Sequence, residues 1–300
     1  MNARTLGYLY LTLAMITVGS TVVASKIAAA TLPPFTATAL RFAIALPPML
    51  VLIPVLKARL PRMGRYDWLL LFVQACAGAI GYTALMMAGL ARTSATEAGI
   101  ILGLLPLVAA LFSVLALGER PGARLWIALA AAVAGVLLAT GGHTGGGSWS
   151  GNLFVLGALV CEAVFILLNR RMRVALPPLM LSVLMTAIGL LLSALAALSE
   201  APWQVHADRA ALWAVTYYAL VPTVGGFLLW YAGCARVSAA EASLTTAIAP
   251  VAALLLAAPV LGEEVGPQQW AGVACVLAAV LYASRPERTA APAEGEAQAR

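Results

Sequence analysis

Residues 91–98 read ARTSATEA, and 144 positions later residues 235–242 read ARVSAAEA. The echo extends well beyond the phrase. Aligned without gaps, residues 91–140 and 235–284 share 19 identities in 50 positions. Glu97 falls on Glu241, Pro106 on Pro250, Gly118-Glu119 on Gly262-Glu263 and Trp126 on Trp270. The same offset carries Gly7 onto Gly151, Leu32-Pro33-Pro34 onto Leu176-Pro177-Pro178, Gly81 onto Gly225 and Gly89 onto Gly233. The chain therefore reads as two copies of one unit, residues 1–145 and 146–284. A polar tail with two prolines, 285–300, is expected to be disordered.

What each unit is follows from composition. Of 300 residues, 62% are hydrophobic and 10% charged, far below the roughly 25% charged residues of a soluble domain. Apolar runs of about 18 residues or more recur along the chain, each long enough to span a bilayer. They are continuous, not alternating, which excludes a transmembrane β-barrel. Breakers divide them into ten predicted helices, near 6–28, 34–56, 67–90, 94–117, 123–141, 151–171, 179–198, 210–232, 239–261 and 267–284. Each unit holds an odd number, five, so the second enters the membrane from the opposite side. The expected fold is an all-α polytopic membrane protein of ten transmembrane helices, arranged as two inverted five-helix repeats.

Charge orients it. With both termini cytoplasmic, 14 of the 18 Lys and Arg residues fall on the inner side and two, Arg92 and Arg209, in outer loops, as the positive-inside rule requires. Lys26 and Arg41 complete the set near the outer ends of helices 1 and 2. The basic balance of +6 is confined to short loops and does not point to nucleic acid. The first apolar run is too long for a signal peptide and has a partner in the repeat. The four cysteines, all inside apolar runs, are read as small buried hydrophobes, neither disulfide-bonded nor metal-ligating.

Within the opening phrase, Ser94-x-x-Glu97 and Ser238-x-x-Glu241 each open an apolar run after a helix-ending glycine, a capping-box spacing. The serine is expected to accept from first-turn amides, and the glutamate to reach back to the serine's own amide. Pro106 and Pro250 remove helical hydrogen bonds and predict a duplicated kink.

These residues resemble a known family. STVVASKIAAATLPPFTATALRF in helices 1–2, SATEAGIILGLLPLVAALFSVLALGERPG in helix 4 and EASLTTAIAPVAALLLAAPVLGEEVG in helix 9 are similar to the EamA family of the drug/metabolite transporter superfamily. The resemblance spans residues 6–284 and implies a ten-helix secondary transporter of the bacterial inner membrane. Such proteins are often exporters of amino acids or related metabolites, and the aromatic amino-acid exporters of the YddG type look nearest. Family members commonly carry an aromatic residue where this chain has Glu162.

The candidate transport residues follow from their cost. Glu162 stands at the middle of helix 6 among apolar side chains, where a charge costs roughly 2.5–3.5 kcal/mol to insert. It is read as facing a cavity, as proton acceptor or partner for a substrate ammonium; a buried, protonated or paired structural glutamate is the alternative. Arg41 and Lys26 suit capture of a substrate carboxylate, or else snorkelling and bonding to helix-end carbonyls. Gln74 and Tyr82 in helix 3 and Tyr218 in helix 8 share glycine-rich stripes that either pack helices closely or line a cavity for an amphipathic ligand. Ser20 in helix 1 and Thr245 in helix 9 add hydroxyls, with back-bonding to the preceding turn as the ordinary role.

Other classes fit less well. His143 and His206 lie in predicted loops without HExxH spacing, and no Walker A, GxSxG or CxxC occurs. No enzyme, metal or cofactor is expected. The reading is a carrier for a small-molecule substrate in a lipid bilayer, with proton coupling through Glu162 as an addition and monomer or homodimer equally open. An exporter of another metabolite or a drug, or a channel or receptor-like scaffold, is the alternative.

Overall fold

Two prolines in a row end a connection and start the next helix, and this happens twice. Pro34 opens α2 (Pro34–Val55) directly after Pro33, and Pro178 opens α9 (Pro178–Ala197) directly after Pro177. A proline at the first helical position loses no hydrogen bond, because that amide has no partner anyway. The computed structural model describes residues 2–117, 123–140, 148–237, 241–242 and 245–283. The side chains of residues 113, 115–117 and 170 are excepted. Ser238 and the tail beyond 284 lie outside the described residues.

The remaining helices are α1 (Ala3–Ala28), α3 (Arg65–Ala75), α4 (Tyr82–Leu90), α5 (Ala95–Leu102), α6 (Leu105–Leu117), α7 (Ala123–Thr140) and α8 (Trp149–Arg170). They continue with α10 (Arg209–Tyr218), α11 (Phe227–Cys234), α12 (Ile248–Leu261) and α13 (Pro267–Ala283). No strand occurs among the described residues. Seven helical stretches are long and apolar enough to cross a membrane, and the bent pair α5–α6 makes an eighth. The protein is an all-helical, multi-pass membrane protein. The ten crossings expected from sequence are not reached on length: α12 and α13, of 14 and 17 residues, fall short.

The departures from ideal helix sit at repeat-related positions. The span Arg65–Leu90 passes through a π-helical turn at Cys76–Gly81, and the span Arg209–Cys234 through one at Ala219–Gly226, which contains Pro222. A π turn widens the helix locally and often marks a functional position. The predicted continuous helix over 94–117 is instead broken at Gly103-Leu104, where α5 and α6 bend by 41°. Pro106 explains the break, since its missing N–H cannot bond the carbonyl of Leu102. A similar interruption at Thr246-Ala247 precedes Pro250, one residue farther from its proline than in the first copy.

Tertiary contacts recur at the same offset. Arg92 donates to the Ala88 carbonyl at 2.7 Å and lies 5.1 Å over the Phe154 ring. Arg236 donates to the Ala232 carbonyl at 2.5 Å and lies 5.3 Å over the Tyr10 ring. A methyl group on Gly89 would come within 2.6 Å of Val155, and one on Gly233 within 2.6 Å of Leu11. Thus α1 rests against α11 as α8 rests against α4, and apolar clusters join the two halves along these seams.

Candidate functional site

The turn between α4 and α5 is tied down by polar groups from three other segments, through Lys26, Asn152 and Glu263. Ser94 caps α5, accepting from the Glu97 amide at 3.0 Å, as the sequence predicts. The second half of the predicted box does not form. The Glu97 carboxylate turns away from Ser94 and accepts from the Thr93 hydroxyl at 3.0 Å and the Asn152 amide at 2.7 Å. Two further first-turn amides, those of Ala95 and Thr96, are satisfied by Glu263 at 2.7 and 2.8 Å. Lys26 donates to the carbonyls of Leu90 and of Thr93. Three charges therefore serve one helix-turn-helix, where bare backbone groups would be costly in a membrane. The repeat counterpart of Glu97 behaves differently: Glu241 accepts from Arg4 and from the Tyr8 hydroxyl.

Beside this rim α1, α2, α4 and α10 enclose a small cavity. Ser25, Thr38, Arg41, Tyr82, Met86 and Tyr218 are among its walls. Its volume of about 30 Å³ holds a water molecule or two, not a metabolite. Arg41 lies two turns into α2, with its guanidinium 4.3 Å from the Phe42 ring and 4.4 Å from the Tyr218 ring. Such stacking is worth about 0.5–2 kcal/mol per ring. Phe42 reaches that position because Gly189 of α9 leaves room; a Cβ there would stand 2.6 Å from the ring.

Arg41 lacks a fixed counterion. Its Nε has no acceptor, and no carboxylate ion-pairs with it among the described residues. Glu162, part-way along α8, lies within electrostatic range of Arg41 and Tyr82 without closing a contact with either. A cation without a fixed counterion thus stands in the wall of a small cavity beside two tyrosines, and Glu162 is not among the residues that line it. The local low dielectric makes an unpaired charge costly, and an anionic group of a ligand would relieve that cost.

The other sequence-predicted residues are placed as follows. Gln74 is fully buried against α8, accepting from Asn169 at 3.4 Å. Lys26 belongs to the polar turn and not to the cavity wall. Ser20 donates to the Thr17 carbonyl at 2.6 Å and accepts from Tyr217. Thr245 donates to the Ala242 carbonyl at 2.7 Å. Both hydroxyls serve local backbone. The reading by sequence did not single out Thr38, Thr83, Met86 or Glu263; only Glu263 had a signal, its place in the duplicated Gly-Glu pair. Among the described residues no group of three or more His, Cys, Asp or Glu could hold a metal ion.

A model of the EamA-like transporter family matches residues 5–141 and again residues 149–285. The chain belongs to this family. Its members, in the drug/metabolite transporter superfamily, are non-enzymatic membrane transporters, and this protein is a membrane transporter. It is 30% identical over 281 residues to the uncharacterized transporter YetK of Bacillus subtilis (strain 168), covering 91% of this chain and 85% of YetK. It is also 30% identical over 300 residues to the uncharacterized transporter YdeK of the same organism, covering 97% and 100%. A solved crystal structure matches with a TM-score of 0.65 at 23% identity, over 94% of this chain and 98% of the other, a likeness of fold.

Proposed function

We propose that this EamA-family protein is a carrier of the bacterial inner membrane that exports small zwitterionic metabolites, foremost amino acids including aromatic ones. The single observation that carries this reading is Arg41, whose Nε has no acceptor, in the wall of a cavity it shares with Tyr82 and Tyr218. Arg41 supplies bidentate donors for a substrate carboxylate, Glu162 an acceptor for its ammonium, and the tyrosine faces an apolar surface for a ring. YddG-type aromatic amino-acid exporters fit that chemistry; another metabolite or drug bearing separated charges is the alternative substrate.

The proposed architecture is ten crossings in two inverted five-helix repeats, 1–145 and 146–284, with both termini cytoplasmic. It is supported by the contacts recurring at the 144-residue offset, by the two family matches, and by α12 and α13, which add two apolar helices to the eight spans. In such a fold the substrate site lies between the halves and access alternates as they rock. Glu162 is further proposed to accept a proton, coupling transport to a pH gradient.

The test is counterflow of radiolabelled phenylalanine, leucine and glutamate by the purified protein in liposomes. Saturable exchange of phenylalanine, lost in Arg41→Gln and Tyr82→Ala, is expected. Absence of exchange with all three would discard the amino-acid reading, and linear, non-saturating flux would favour a channel.

A further inference from the structure

No residue of the cavity wall has its repeat counterpart in that wall, but two of those counterparts meet each other elsewhere. Adding 144 to Ser25 gives Asn169, and subtracting 144 from Tyr218 gives Gln74. Ser25 and Tyr218 face each other across the cavity, one from α1 and one from α10. Their counterparts also meet: the Asn169 side-chain amide of α8 donates to the Gln74 carbonyl oxygen of α3 at 3.4 Å. Gln74 and Tyr218 each stand just before the π-helical turn of their span, Gln74 with Ala75 between and Tyr218 at its border. The backbone setting is the same, but the chemistry is not, since a carboxamide pair replaces a hydroxyl and a phenol.

Gln74 is fully buried, and its amide nitrogen has no hydrogen-bond partner. A buried donor left bare in a membrane interior is rare and marks a site that something else satisfies. Asn169 lies seven positions after Glu162 on α8, two turns along the same helix face. The polar track that begins at Arg41, Tyr82 and Tyr218 therefore continues past Glu162 to Asn169 and Gln74, towards the rim where α3 begins.

We propose that Gln74 and Asn169 form a second half-site, the repeat counterpart of Tyr218 and Ser25, which binds a carboxylate or carbonyl oxygen of the substrate when the cavity opens towards the α3 end. The inference rests on the inverted-repeat reading above. When two inverted halves exchange conformations, each residue takes up the environment its counterpart has left. Ser25 and Tyr218 line a cavity in this conformer; in the opposite one Asn169 and Gln74 do. The free Gln74 N–H donor then meets an acceptor, and Glu162 lies between the half-sites and serves both.

Two measurements test it. In membrane vesicles of each orientation, phenylalanine uptake by Gln74→Leu and Asn169→Leu should show the KM at the cytoplasmic face raised about tenfold, with the KM at the outer face changed less than twofold. Tyr218→Leu should show the reverse. Equal changes at both faces, or none, would overturn the half-site. Independently of substrate, Gln74→Cys and Asn169→Cys should label with a membrane-impermeant maleimide from the cytoplasmic face only, above the background of the native cysteines. Labelling of neither variant, or labelling from the outer face, also overturns it. Cysteine variants that label as expected, beside a wild-type protein that carries no phenylalanine, would defeat the amino-acid reading and leave the half-site standing.

Discussion

The contacts that repeat at the 144-residue offset and the residues that wall the cavity scarcely overlap. Gly89 with Gly233, Arg92 with Arg236 and Val155 with Leu11 make equivalent contacts in both halves. At the cavity, Arg41 aligns with Met185, Tyr82 with Gly226 and Tyr218 with Gln74. Duplication preserved what lets helices approach and end; divergence put charge and aromatic surface on one side of the resulting frame. A transporter with a polar ligand needs this asymmetry, because two symmetric charged sites would each carry the insertion cost of a membrane-buried ion.

The largest effect should come from the least repeated residue. Arg41→Ala removes the cation at the cavity wall, and charge-assisted hydrogen bonds of about 1.5–3 kcal/mol each translate into a fall on the order of 100-fold in kcat/KM. Counterflow of phenylalanine reads it, while the thermal unfolding midpoint in detergent should stay near wild type. A parallel loss in Met185→Ala would break the comparison, since that position is not in the wall of this cavity. Next, Glu162→Gln should leave exchange at zero pH gradient within a few-fold of wild type and abolish any acceleration by an imposed gradient. Unchanged gradient dependence would remove the proton role from Glu162.

The repeated frame should fail the other way, in stability before transport specificity. Gly89→Val or Gly233→Val forces a side chain into space held by Val155 or Leu11, and overpacking costs about 1–3 kcal/mol. Both variants should lower the unfolding midpoint by similar amounts. A large drop in one and none in the other would show that only one seam bears load.

How much of this was legible in the sequence follows the same division. The repeat, the spans and the proline break announced themselves because bilayer length and backbone hydrogen bonding leave few alternatives. Pro106 predicted the bend, and the structure shows it at Gly103-Leu104, where the proline's missing donor acts. The capping box was half right: Ser94 caps α5, but Glu97 meets Thr93 and Asn152, and Glu263, distant in sequence, takes two of the first-turn amides. No local spacing encodes that arrangement. Arg41, Tyr82 and Tyr218 could be named as candidates from residue type alone, yet their convergence depends on α2, α4 and α10 meeting. Lys26 was indistinguishable from Arg41 by type and depth, and the structure assigns it to carbonyls at a turn.

The smallest effect tests whether the two rims are equivalent. Glu97 and Glu241 are repeat counterparts, but Glu97 is buried with two partners inside the polar turn. Glu241 meets Arg4 at the surface, where the arginine side chain is 65% exposed. An exposed ion pair trades Coulomb energy against water and side-chain entropy and gains little. Arg4→Ala should therefore leave the unfolding midpoint unchanged, because water and the Tyr8 hydroxyl, donating at 2.5 Å, still serve Glu241. Glu97→Ala, by contrast, strips the Asn152 amide of a buried acceptor, though Thr93 keeps the Asn152 oxygen at 2.6 Å, and should lower the midpoint clearly, at about 1–3 kcal/mol for the bare buried group. Equal shifts would mean that the Arg4 pair is held as tightly as the buried network. The contrast between a fixed rim around Lys26 and a loosely latched one around Arg4 would then be lost.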